Sequence, residues 1–103
     1  MRPGKYYRLD GHTPVPEYDL AEWARQHETA DRQVARTEFG GIKVMTEFIG
    51  FDQSFFDDET PQLFETLAFS GHSGKVMDRY ATWDEAVAGH DVVVANLKAK
   101  GTL

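Results

Sequence analysis

Gln33-Val34-Ala35-Arg36-Thr37-Glu38-Phe39-Gly40-Gly41-Ile42-Lys43-Val44-Met45-Thr46-Glu47-Phe48 reads as a β-hairpin, and its reading decides the fold. Gly40-Gly41 supplies the positive φ angles that a two-residue primed turn requires. Folding the chain there pairs Phe39 with Ile42, Thr37 with Val44, Ala35 with Thr46 and Gln33 with Phe48, a largely apolar face. The opposite face pairs Glu38 with Lys43, Arg36 with Met45 and Val34 with Glu47, with Arg36 diagonal to Glu47. One register places opposite charges together on the wet face and apolar groups on the dry one.

Downstream, Ile49 and Phe51 would continue on the charged face, and Gly50 between them marks a bulge or twist. Leu63 to Phe69 forms a further strand, Ser70 to Gly74 a loop, and Val76 to Ala81 the last strand. Thr82-Trp83-Asp84-Glu85 is a capping box opening a helix with Trp83, Val87, His90, Val94 and Leu97 on one stripe. Lys98 and Lys100 suit its C-terminal dipole, and Gly101 ends it.

Upstream, Lys5 to Leu9 reads as a first strand, and His12 to Glu17, with Pro14 and Pro16, as an extended connector. A helix starts at Asp19 and runs to about Glu28, with Glu22 completing a capping box and Tyr18 and Trp23 placed as a hydrophobic staple. Leu20, Trp23, Ala24 and His27 form its apolar face. The order is β-α-β-β-β-β-α: one α+β domain over residues 1–103, an antiparallel meander of four to five strands covered by two helices. Where the first strand joins is left open.

Seventeen acidic against 11 basic residues give a formal charge of −6, and the imbalance is local. Between Val44 and Gly74 there is no Lys or Arg, while Glu47, Asp52, Asp57, Asp58, Glu59 and Glu65 all fall there. Duplex binding replaces counterions with Lys and Arg, and no basic run is present, so direct nucleic-acid binding is not expected. No apolar run reaches the ~18–20 residues of a membrane span, and Met1 to Leu9 has no signal-peptide core. Zero cysteines exclude disulfides and thiolate chemistry, which fits a cytoplasmic protein.

Chemistry-bearing patterns are weak. His12, His27, His72 and His90 show no metal-ligand spacing; His27 and His90 fit core-edge histidines bonded to backbone, leaving His12 and His72 in loops. Asp52, Asp57, Asp58 and Glu59 do not follow the calcium-loop pattern. Gly71-His72-Ser73-Gly74-Lys75 lacks the spacing and following helix of a phosphate loop, and a hairpin loop explains it. No serine has the context of a nucleophile elbow. Neither catalytic residues, metal ligands nor a cofactor are assigned. What stands out is Asp52, Phe55, Phe56, Asp57, Asp58 and Glu59: carboxylates interleaved with aromatic anchors, equally readable as a contact surface or as core phenylalanines with acids outside.

Tyr6-Tyr7-x-Leu9-Asp10-Gly11-His12-x-Pro14-Val15-Pro16, Trp23-Ala24-Arg25, Phe64-Glu65-Thr66, and Arg79-Tyr80-Ala81-Thr82-Trp83-Asp84-Glu85-Ala86 with Gly89-His90 carry a resemblance. Over nearly its whole length the chain resembles a group of small bacteriophage- and prophage-encoded proteins to which no activity is assigned. The resemblance implies a bacterial cytoplasm and an accessory gene, with no residue roles to transfer. The resulting expectation is a non-enzymatic protein that binds a host or phage protein with a basic surface, as an anti-defence inhibitor would, through the acidic aromatic segment. A homodimeric structural or assembly protein is the alternative, and a small metal-dependent hydrolase using His12 and His72 the third.

Overall fold

The computed structural model describes residues 5–53 and 60–103. Its elements are β1 (Tyr7–Asp10), β2 (Thr13–Pro16), α1 (Leu20–Thr29), β3 (Gln33–Phe39), β4 (Ile42–Phe48), β5 (Phe64–Ser70), β6 (Ser73–Tyr80) and α2 (Trp83–Lys100). The expected meander is present as a four-stranded antiparallel sheet, β3-β4-β5-β6. β1 and β2 form a separate two-stranded sheet.

Thr13–Pro16, expected as a connector, is a strand because its prolines are harmless where they fall. The Glu17 N–H donates to the Tyr6 carbonyl, 2.8 Å away. Antiparallel alternation then puts Pro14 and Pro16, opposite Leu9 and Tyr7, at positions whose nitrogens face away from β1. The small hairpin joins the end of the main sheet through Tyr7 N–H to Gly50 O and Asp52 N–H to Lys5 O, each 2.7 Å.

The central hairpin holds the expected pairs from Phe39/Ile42 back to Ala35/Thr46, but Gln33 pairs with Glu47 rather than Phe48. A bulge between Gln33 and Ala35 is the cause, and Val34, expected opposite Glu47 on the charged face, packs instead on the core cluster around Phe48 and Phe64. The Phe48 N–H is taken by Arg32 O at 2.8 Å. Ile49 also leaves the charged face and is buried, its N–H donating to Leu63 O.

α2 packs against all four strands of the larger sheet, whereas α1 packs against β1. Both helix starts are capped as their sequences suggest, with Thr82 and Glu85 completing a reciprocal box. At α1 only the Asp19 half forms; the Glu22 carboxylate turns to Arg25 and Gln26. No staple position is closed by Tyr18, which is largely exposed, and Tyr6 packs on Trp23 with ring centroids 4.8 Å apart.

Two apolar clusters fill the space beneath α2. One contains Tyr7, Phe48, Leu63, Phe64, Tyr80 and Ala86; the other Ile42, Val44, Ala68, Val93 and Leu97. Thr46 and Thr66, fully buried, and His90 lie between them in strand and helix order. Their polar atoms join in a chain: Thr37 Oγ1 is 2.9 Å from His90 Nε2, and Thr46 Oγ1 is 2.8 Å from His90 Nδ1. Thr46 is hydrogen-bonded in turn to Thr66, whose hydroxyl lies 2.9 Å from the Tyr80 hydroxyl. A neutral imidazole donates at one nitrogen and accepts at the other, so this belt is satisfied with His90 uncharged. His90 is thus a core residue as expected, held by side-chain hydroxyls rather than by backbone.

Candidate binding cleft

Where the small hairpin, α1 and the start of α2 meet the end of the larger sheet, a cleft of about 400 Å³ opens, within the size range of small-ligand sites. Its walls are aromatic. His12, in the β1–β2 turn, stacks on Trp83 with ring centroids 3.7 Å apart and planes 3° from parallel. Trp23 and His27, one turn apart on α1, stack at 4.5 Å and 20°. The Trp23 indole N–H donates to Tyr7 O at 2.8 Å, which fixes this wall to the hairpin. Phe48 completes the lining beneath His27, with ring centroids 6.4 Å apart.

The polar lining is cationic on balance. Arg8 and Arg32 both contribute, against a single carboxylate, Asp31. Arg8 is partly neutralised by Glu17, 3.8 Å away. Arg32 is half-buried, donates to Phe48 O at 3.1 Å, and makes no ion pair among the described residues. Burial first, and the positive charge of Arg32 second, hold the His27 imidazole below its ordinary proton affinity. His27 therefore stays neutral near pH 7, and the guanidinium is the charge a ligand would meet. Among the described residues the lining contains no Ser, Thr, Cys or Lys.

The residues singled out from sequence lie elsewhere. Asp52 is buried at 4% exposure and its backbone ties down Lys5, so its side chain is no part of an open contact surface. Phe55, Phe56, Asp57, Asp58 and Glu59 lie outside the described residues. His72 occupies the β5–β6 turn, at the far end of β6 from Trp83 and hence from His12. An eight-residue strand separates those two ends by roughly 25 Å, so the structure does not assemble the His12/His72 site. No group of three potential metal-ligating residues occurs among the described residues.

Trp23, His27, Trp83, His12 and Arg32 were not legible as one site. The i, i+4 spacing of Trp23 and His27 signals a shared face, but the meeting with His12 and Trp83 depends on how the hairpin docks. No protein-family model, curated protein or solved structure matches the chain. No helix among the described residues is long and apolar enough to cross a membrane.

Proposed function

We propose that the protein is a binding module whose cleft holds a planar ring carrying an anionic group, the chemistry of a nucleoside monophosphate or an aromatic acid. The observation that carries this is Arg32: a half-buried guanidinium with no ion-pair partner among the described residues, in a cleft whose lining also holds two aromatic stacks. Stacking of a ring on such walls contributes about 1–3 kcal/mol, and a charge-assisted hydrogen bond about 1.5–3 kcal/mol. Together these terms amount to about 2.5–6 kcal/mol before the cost of association, so binding is weak, with a dissociation constant of about 1 mM or higher. The acidic balance of the whole chain disfavours a long polyanion but not a single phosphate or carboxylate.

Calorimetric titration with a nucleoside monophosphate, the nucleoside and inorganic phosphate tests it. The monophosphate is expected to bind best, and Arg32→Gln to weaken it about tenfold or more while leaving the nucleoside little changed. Equal binding of nucleoside and monophosphate, or no binding of any of the three and of benzoate, contradicts the assignment.

A second surface is supported by charge. Three of the six acids of residues 44–74, Asp57, Asp58 and Glu59, lie in sequence between pinned flanks, Asp52 N–H on Lys5 O and Leu63 O accepting from Ile49. Such a segment suits a partner protein with a basic face, the role that the likeness to phage proteins implies. Capture of one basic host protein by wild type, abolished in Asp57→Lys/Asp58→Lys/Glu59→Lys, is the expected result; equal capture by both removes the segment from the interface.

A further inference from the structure

The face of the four-stranded sheet opposite α2 carries three rows that follow from the strand register. Arg36, Met45, Leu67 and Val76 lie directly across from one another in the middle row. On one side of it run Glu38, Lys43, Phe69 and Gly74; on the other Gln33, Glu47, Glu65 and Arg79. Alternation in β4 and β5 confirms the sides: Ile42, Val44, Thr46 and Phe48 are buried, while Lys43, Met45 and Glu47 are only half covered. No described element packs on this face.

Its charges are incompletely matched within one chain. Glu47 and Glu65 sit directly opposite, a destabilising juxtaposition of like charges, and the two nearby cations are engaged elsewhere: Arg79 bonds Glu65 at 3.3 Å and Arg36 bonds Glu38 at 3.1 Å. Glu47 has no ion pair among the described residues. At the opposite end of β4, Lys43 lies over the Phe69 ring at 5.2 Å and makes no ion pair either, because Glu38 is engaged by Arg36 at 3.1 Å. Unmatched cation and unmatched anion are two rows apart on one strand.

From this we infer that the outer sheet face binds a second copy of the chain about a two-fold axis running along the Met45-Leu67-Val76 row. That axis lays β4 on β4 in opposite directions, so Lys43 of each copy meets Glu47 of the other and Met45, Leu67 and Val76 cover themselves, while Arg36, at the β3 edge of the row and already paired with Glu38, faces its own copy. A two-fold along the strands would instead set Glu47 against Glu65 and is disfavoured. Two-fold association of identical faces needs this self-complementarity. The face is roughly 15–20 Å by 20 Å, about 600–800 Å² in total over two copies, which is below the range of stable interfaces and suits only a weak, reversible dimer.

Sedimentation equilibrium over a wide concentration range tests it with three variants. Wild type is expected to dimerise reversibly, and Leu67→Glu to be monomeric with an unchanged circular dichroism spectrum. Lys43→Glu and Glu47→Lys should each weaken the dimer about tenfold or more, since symmetry counts each pair twice. The doubly swapped chain, Lys43→Glu with Glu47→Lys, should recover most of the affinity, which no merely structural role would produce. Wild type that stays monomeric at its highest soluble concentration overturns the inference. So does a dimer indifferent to the single reversals, or one the double swap does not restore.

Discussion

His90, buried, and His27, half-buried, show what a desolvated titratable group does to the whole protein. Burial lowers the proton affinity of both, outweighing the opposing pull of Asp91 on His90 and reinforced by Arg32 at His27. In the unfolded chain an imidazole titrates near pH 6.5. Between that value and the lower folded values, the unfolded state holds protons that the folded state does not, so stability rises with pH across the window. Their contribution is full above about pH 6.5 and is lost as pH falls below it. The melting temperature should therefore decline on going from about pH 8 to pH 5. His27→Gln should flatten part of that slope without touching the hydroxyl belt. A melting temperature independent of pH over this range contradicts neutral histidines at both positions. Protonating His90 would give it two N–H donors, so whichever of Thr37 and Thr46 donates to the neutral ring must turn its hydroxyl proton elsewhere.

At the level of elements, α2 and the central hairpin were readable because several local signals agreed. The Gly40-Gly41 turn, two compatible faces and the Thr82/Glu85 box each point to the structure observed. The bulge at Val34 was not readable, since only the core around Phe48 and Phe64 decides which way that side chain turns. β2 was hidden by prolines whose harmlessness depends on the partner strand. α1 met its expected span to within a residue, but of its expected apolar face only Trp23 and His27 line the cleft, Leu20 and Ala24 are exposed, and none of its ten residues is buried. A ten-residue helix with so little packing is marginal by itself. Amides of α1 should accordingly exchange with solvent much faster than those of α2 around Val93 and Leu97, and equal protection would contradict this division. Within α2, Gly89 is required by packing, for a Cβ there would lie 2.1 Å from the Tyr80 ring. Gly89→Ala gains about 1 kcal/mol of helix propensity but must displace a buried tyrosine, and a net loss of about 1–2 kcal/mol in chemical denaturation is expected. A stabilised Gly89→Ala variant would show that Tyr80 moves freely, against its place in the belt.

Over the whole molecule, the fold splits into a larger layered part and a smaller docked part. The four-stranded sheet and α2 enclose the core; the β1–β2 hairpin and α1 are attached at one end, and the cleft is the seam between them. That arrangement explains why the site escaped the sequence: His12, Trp23, Arg32 and Trp83 belong to four separate segments joined only by tertiary docking. The acidic segment was visible because it is contiguous in sequence; Phe55 to Glu59 lie outside the described residues. The most direct measurement is a ¹⁵N-resolved NMR titration with a nucleoside monophosphate, following the two tryptophan indole N–H signals and the backbone amides. Shifts that saturate and cluster at His12, His27, Arg32, Trp83 and the Trp23 indole are expected if the cleft holds the ligand. Shifts absent from these residues, or confined to Lys43, Met45 and Leu67 on the outer sheet face, would contradict it.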